Sequence, residues 1–196
     1  MNSEDILDRV ISDADGILVT SEALRAGVSK EQLYSYVKDN ELSRIAHGIY
    51  LAKGSWMDEM YILQLRFPKA VFSHETALYL HDLAEREPLQ YTVTVPSKYH
   101  APALSEYARV IYVRDKWHDL GVCQKETPDG HSVRVYNPER TVCDLIRKKD
   151  DMDPAVFNYA LNTYVKSGEK DYLRLMKYAK ELRIEEKLRM IMGVIL

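Results

Sequence analysis

The chain has 196 residues, 46% apolar and 29% charged, with 8 Gly and 7 Pro. That length accommodates one large or two small domains, and the composition excludes disorder, collagen and coiled-coil arrays. The net charge of −3 argues against a protein that coats nucleic acid, but not against a specific DNA reader with a local basic patch. No apolar run reaches the ~18 residues of a membrane span, so no membrane partner is expected. The acidic start, without an apolar segment, predicts no signal peptide. Two cysteines, Cys123 and Cys143, fit a reduced cytoplasmic protein better than a disulfide scaffold.

Residues 1–54 read as one unit. Ser3 is expected to cap a helix over residues 4–12 with Ile6 and Val10 inward; Glu4 and Asp5 lie in its first turn, at the positive end of the dipole. Asp15-Gly16 marks a turn, and residues 17–20 form an extended stretch. Thr20 or Ser21 caps a second helix over 22–26, which Gly27 ends in the left-handed conformation. Ser29 and Gln32 have capping-box spacing and open a third helix reaching Asn40, with Leu33, Tyr36 and Val37 on its inner face. Residues 42–45, the triplet Ala46-His47-Gly48 and residues 49–51 read as a tight hairpin. Two short helices joined across residues 26–29 and followed by a hairpin give the order of a helix-turn-helix with a wing.

The remainder is mixed. Helical patterns cover residues 57–66 and 75–83, the second capped by Ser73. Strand signals follow at 91–95 and 110–113, and Pro128-Asp129-Gly130 is a hairpin turn before the alternating run 132–136. Asn137 followed by Pro138 starts a helix well. Asp153-Pro154 caps a helix to Lys166, stopped by Gly168; another runs over 170–181 and a last from Ile184 onward. On the penultimate helix Lys170, Arg174, Lys177 and Glu181 share a stripe, opposite Tyr172, Met176, Ala179 and Leu182. On the last, Ile184, Leu188, Ile191 and Ile195 recur at helical spacing. The expected fold class is α+β: an N-terminal winged helix-turn-helix over 1–54, then a larger mixed α/β domain over 55–196 ending in helices.

A recognition helix presents polar residues near its N-terminus to a major groove. Lys30, Gln32, Tyr34, Ser35 and Lys38 are available on the third helix, the lysines for phosphates and Gln32 or Ser35 for base edges. The alternative is an ordinary solvated face, and residues 1–54 carry six Lys/Arg against nine Asp/Glu. The acids gather in the first helix and the turn after it, whereas Lys38, Arg44, His47 and Lys53 gather around the wing. Tyr50 reads as core. His74 and His81 stand seven apart without the four-residue spacing of a helical zinc pair, so packing or capping is expected and no metal or cofactor. Nucleophile elbows, redox pairs and phosphate-binding loops are missing, and nothing asks for an enzyme. The Lys170/Arg174/Lys177 stripe is either a solvated face or a basic platform for an acidic partner or nucleic acid. Fourteen tyrosines against three phenylalanines suit interfaces as well as cores.

Five segments carry a family likeness. Gly27-Val-Ser-Lys-Glu-Gln-Leu33 and Leu42-Ser-Arg-Ile-Ala-His-Gly-Ile-Tyr50 resemble the N-terminal winged helix of AbiEi-type antitoxins. The segment Phe72-Ser-His-Glu-Thr-Ala-Leu-Tyr-Leu-His-Asp-Leu83 resembles that family's Ala-Leu and His-x-Leu helix. Asn137-Pro-Glu-Arg-Thr-Val-Cys-Asp-Leu-Ile146 resembles its Pro-x-Arg-Thr-x-x-Asp helix, and the segment from Leu175 to Ile184 fits its ending. The family's wing often has Arg where this chain has His47. The resemblance implies a non-enzymatic, cytoplasmic protein of a type IV toxin–antitoxin system acting in phage abortive infection. Its N-terminal domain would bind inverted repeats in its own promoter as an autorepressor. Its C-terminal domain would counter a nucleotidyltransferase-type toxin. DNA contacts are then expected at Lys30, Gln32, Tyr34, Ser35, Lys38, Arg44 and His47, and a toxin-neutralising surface at Lys170, Arg174 and Lys177. The competing reading is a DNA-binding regulator whose C-terminal domain senses a ligand or mediates assembly. A third is an interaction module whose winged helix no longer binds DNA.

Overall fold

A computed structural model describes the backbone of residues 2–195 and the side chains of residues 2–193; the expected place of Ile195 on the last helix's apolar stripe lies outside the described side chains. The chain divides into two compact units, residues 1–62 and 63–196.

The first unit begins with α1, Ser3–Asp13. Its cap is Asn2 rather than Ser3: Asp5 N donates to Asn2 Oδ1 at 2.8 Å and Asn2 N donates to Asp5 Oδ2 at 3.0 Å, a reciprocal capping box. Leu7 is the fully buried residue of this helix, with Ile6 and Val10 partly buried beside it. Strand β1 (Ile17–Val19) leads directly into α2 (Thr20–Arg25), which has no side-chain cap. After α2, Gly27 N donates to Leu24 O and Val28 N to Ala23 O, and Gly27 takes φ +92°. This is a Schellman ending, and a Cβ at that φ would be strained. Val28 is thereby turned into the core, beside Ala23 and Leu33. Helix α3 (Lys30–Asp39) follows, then the hairpin β2 (Ser43–Ala46) and β3 (Ile49–Leu51). The three strands form an antiparallel sheet in the order β1-β3-β2, with a bulge between Arg44 and Ala46. This is the architecture of a winged helix-turn-helix. Leu7, Leu18, Ala23, Val28, Leu33, Leu42 and Tyr50 form its core.

Helix α4 (Glu59–Arg66) contains the division between the units. The second unit continues with β4 (Val71–Phe72), α5 (His74–Leu80), β5 (Thr92–Pro96), β6 (Arg109–Val113), the short α6 (Asp115–His118), β7 (Val122–Glu126) and β8 (Ser132–Tyr136). Helices α7 (Pro138–Arg147), α8 (Pro154–Lys166), α9 (Tyr172–Glu181) and α10 (Glu185–Ile195) complete it. Its mixed sheet has the order β6-β5-β4-β8-β7, with β5/β6 and β4/β8 parallel and β4/β5 and β7/β8 antiparallel. The molecule is therefore α+β. The second core joins α5 and α7 to α8, α9 and α10 through Leu78, Val142, Ile146, Leu161, Leu175 and Leu188.

Helix α7 explains the Pro-x-Arg-Thr-x-x-Asp spacing. Asn137 Oδ1 accepts from Arg140 N at 3.0 Å and Pro138 occupies the first turn. Arg140 is fully buried; its Nε donates to Asp144 Oδ2 at 2.9 Å and its Nη1 to the carbonyls of Trp117 and Leu120. Its Nη2 has no hydrogen-bond partner among the described residues, but the guanidinium lies 4.1 Å from the Tyr136 ring centroid, where a cation–π contact offsets part of the desolvation. Gly121, at φ +82°, lets this happen: a Cβ there would stand 2.6 Å from Arg140 Cβ. Glu139, equally buried, accepts from Tyr164 Oη, Asp171 N and Arg174 Nη1 at 3.3, 3.1 and 3.5 Å. One carboxylate thus ties α7 to α8 and to the start of α9.

Candidate nucleic-acid interface

The winged unit presents α3 and the β2–β3 wing. Ser29 and Gln32 form the expected capping box: Gln32 N donates to Ser29 Oγ at 3.3 Å and Ser29 N donates to Gln32 Oε1 at 2.9 Å. This fixes the Gln32 side chain. Its amide oxygen is occupied by the backbone, which leaves the Nε2 hydrogens to meet a ligand.

Lys30, Gln32, Tyr34, Ser35 and Lys38 are all exposed on α3, Tyr34 to 53%. Ser35 Oγ is engaged with Asp39 Oδ2 at 3.0 Å, so its hydroxyl proton points along the helix. On the opposite side Leu33 is buried, and Tyr36 and Val37 pack beside the core. Tyr36 Oη donates to Asp8 Oδ1 of α1. Burial first, and then the Asp8 carboxylate, push this phenol up to about 12. The contact holds an α1 acid against α3 at its partly buried Tyr36.

The wing is anchored to the helix-turn-helix by Thr20 N, which donates to Gly48 O at 2.8 Å. Arg44 folds along it: Nε approaches Ala46 O at 3.4 Å, and Nη2 lies 3.2 Å from His47 Nδ1. The guanidinium has no acceptor capacity, so that contact requires an unprotonated Nδ1. Both residues are exposed, as a phosphate-contacting pair must be. Lys53, grouped with them by sequence, is instead drawn to Glu41 Oε2 at 3.1 Å. Glu41 itself sits at φ +53°, the left-handed residue of a second Schellman ending in which Leu42 N donates to Val37 O. That pairing was not legible in sequence, because it depends on the wing's return bringing residue 53 beside residue 41.

On the second unit, two of the stripe's three cations have neighbours of their own. Arg174 Nη1 and Nη2 reach Glu139 at 3.5 Å and Asp171 at 3.3 Å. Lys170 Nζ donates to Ser167 O at 2.7 Å, and Lys177 is exposed. His74, at the start of α5 with φ +50°, is buried against Ser73 Oγ, and His81 Nε2 donates to Tyr136 O at 2.8 Å. Burial pushes the Cys143 thiol up to about 12, the setting of a structural rather than a nucleophilic cysteine. Among the described residues no group of three or more His, Cys, Asp or Glu could hold a metal ion, and no helix is long and apolar enough to cross a membrane.

Comparison with known proteins decides what this winged unit resembles. Residues 5–53 match the family described as "Transcriptional regulator, AbiEi antitoxin". The AbiEi match runs from the first turn of α1 to just beyond β3, and so takes in the whole helix-turn-helix and wing. Among solved structures the chain is similar to the crystal structure of RV2827C protein from Mycobacterium tuberculosis. The TM-score is 0.61 at 12% identity, over 91% of this chain and 71% of that one, a likeness of fold across both units. No curated protein matches the sequence.

Proposed function

We propose that the chain is an antitoxin that represses its own promoter, with residues 1–54 as the DNA-binding winged helix and residues 55–196 as the domain that counters a nucleotidyltransferase-type toxin. The observation that carries this reading is the coincidence of the AbiEi match over residues 5–53 with a complete helix-turn-helix and wing. In this reading Lys30 and Lys38 contact phosphates, Gln32, Tyr34 and Ser35 face base edges, and Arg44 and His47 reach the backbone from the wing. The acids near α3 are partly withdrawn: Asp8 is held by Tyr36, Asp39 by Ser35 and Glu41 by Lys53. Affinity then depends on a few local cations and falls readily with salt. The protein acts in the cytoplasm and carries no catalytic residue.

The DNA half is tested by titrating a labelled fragment of the upstream promoter, containing its inverted repeats, with wild type and the Lys30→Ala/Lys38→Ala variant. Loss of affinity with a salt slope smaller by about 2 is expected, about one for each phosphate contact removed. Unchanged affinity and slope in the folded variant overturns the assignment. The antitoxin half is tested first by the neighbouring reading frames, where this reading expects a nucleotidyltransferase, and then by co-expressing its product with the full chain; absence of such a frame counts against this half. Restored growth is expected; unrelieved toxicity overturns this half.

A further inference from the structure

The wing brings together two side chains that a regular strand would keep apart. Residues three apart in a strand point to opposite faces. The hairpin, however, carries a bulge: Arg44 pairs with Tyr50 and Ala46 with Ile49, so Ile45 is an extra residue between them. The bulge turns Arg44 and His47 to one side, where Arg44 Nη2 stands 3.2 Å from His47 Nδ1. Both are exposed, so burial does not force them to meet.

Their contact is conditional on a proton. A guanidinium only donates, so Nδ1 accepts from Arg44 and the ring's own hydrogen sits on Nε2. A proton added at Nδ1 removes the acceptor and sets two cations side by side. Histidine is the side chain whose charge changes within the physiological range, so the wing has two states. In one the ring is neutral, and Arg44 lies along the strand on Ala46 O and Nδ1. In the other both groups are charged, and they stay close only with an anion between them.

The surroundings leave that choice to the pair. The start of α2 stands against the wing turn, where Thr20 N donates to Gly48 O and Thr20 Oγ1 faces Gly48; neither group titrates. Strands β1 and β3 carry no charged residue. The acids of the adjoining segments have cations of their own: Glu22 of α2 lies 3.7 Å from Arg25, and Glu41, just after α3, lies 3.1 Å from Lys53.

We infer that Arg44 and His47 form a proton-linked clamp for a DNA phosphate. The inference rests on the DNA-binding reading and adds a means of regulating it. A phosphodiester oxygen arriving at the wing draws the guanidinium off Nδ1. Nδ1 then takes a proton from solvent, and ring and guanidinium both donate to the anion. Two cations face the phosphate in place of one. When the DNA leaves, repulsion between them returns the proton to solvent and Arg44 to Nδ1. Each clamp takes up one proton as it closes, so promoter affinity rises as pH falls.

His47 is the one histidine of residues 1–62, and neither cysteine lies there. Carboxylates ordinarily titrate below about pH 6 and phenols and lysines well above neutrality, so a modest pH interval isolates this ring within the first unit. The test titrates the labelled promoter fragment with the full chain at pH 6.0 and pH 7.5, at constant ionic strength, for wild type, His47→Gln and His47→Arg. Both substitutions fall on an exposed turn. Wild type should bind about three- to tenfold more tightly at pH 6.0, as linkage to one proton allows. His47→Gln keeps an N–H for the phosphate but cannot become charged, and should lose most of that gain. His47→Arg, a cation at both pH values, should bind more tightly than wild type at pH 7.5 and also lose the gain. A wild-type affinity that does not change with pH, or a gain that His47→Gln shows in full, overturns the clamp and leaves the DNA-binding reading standing. A folded wild type that binds the promoter at neither pH overturns that reading and the clamp with it.

Discussion

The backbone N–H of Ser29 donates to Gln32 Oε1 at 2.9 Å, so the first turn of α3 dictates which half of the glutamine amide faces outward. A free glutamine reads adenine with both its donor and its acceptor; in the capped one the oxygen is turned to the backbone, with one of its two lone pairs taken, and the Nε2 donors lead. Gln32→Glu separates the two roles. Glutamate keeps the capping box and suits the positive end of the helix, so stability should change by no more than about 0.5 kcal/mol. Promoter affinity should fall by about 1–3 kcal/mol, because an anion replaces the donor. Fluorescence anisotropy on the promoter fragment, beside a melting curve, reads both; retained affinity removes Gln32 from the interface.

Glu41 occupies a left-handed conformation at φ +53° and ties up Lys53 at 3.1 Å. An L-residue there costs about 1–2 kcal/mol, partly offset in a glycine variant by the entropy of its unfolded chain. Glu41→Gly should therefore raise stability by about 0.5 kcal/mol and, by freeing a cation beside the wing, tighten promoter binding at low salt. A tighter complex with an unchanged salt slope would separate Lys53 from the effect.

Arg140 and Asp144 form a fully buried pair. Arg140→Met leaves Asp144 without its main partner and strips the Trp117 and Leu120 carbonyls of their donor. The expected loss is about 3–5 kcal/mol in urea unfolding of the second unit. Gly121→Ala attacks the same place from the other side, through a left-handed φ and a 2.6 Å approach to Arg140 Cβ, and should cost about 1–3 kcal/mol. Promoter binding by the first unit is the control. A loss below about 1 kcal/mol for Arg140→Met would show that the buried pair is dispensable.

Burial lowers the affinity of both His74 and His81 for protons. The unfolded chain, with histidines near the ordinary value of about 6.5, therefore takes up protons that the folded chain refuses. Their contribution is complete above that value, and stability should fall as pH drops below it toward the depressed folded values. The slope approaches about 1.4 kcal/mol per pH unit for each histidine protonated only on unfolding. Urea titrations at pH 7.5 and 5.5 measure it. In His81→Gln, whose amide can still donate to Tyr136 O, the slope should shrink; an unchanged slope would exclude His81.

The first unit was readable because its signals are local. The Ser29/Gln32 capping box, the left-handed Gly27 and the bend at His47-Gly48 each act within a few residues, and their order specifies the winged helix. Even so, Asn2 took the cap expected of Ser3, since its side chain is the one that reaches Asp5 N. In the second unit the informative contacts are distant. The two-residue β4 is a strand only because β5 and β8 flank it. β7 carries Gln124, Lys125 and Glu126 at a sheet edge, a composition without the apolar or β-branched enrichment that announces a strand. Arg140 and Asp144 stand four apart on a helix, a spacing that ordinarily means a solvated pair, and only the fold around them seals it. Arg174 reads as a member of a basic stripe until Glu139, 35 residues earlier, claims it.

Glu139 also sets how the second unit comes apart. Because Tyr164, the Asp171 amide and Arg174 all converge on it, peeling α9 away would strand a carboxylate in an apolar interior before it had reached water. Loosening α8 removes the Tyr164 donor from the same carboxylate. The C-terminal helices are thus latched at one point, and native-state hydrogen exchange should find α7, α8 and α9 opening in a single step, with no state in which one has left and the others remain.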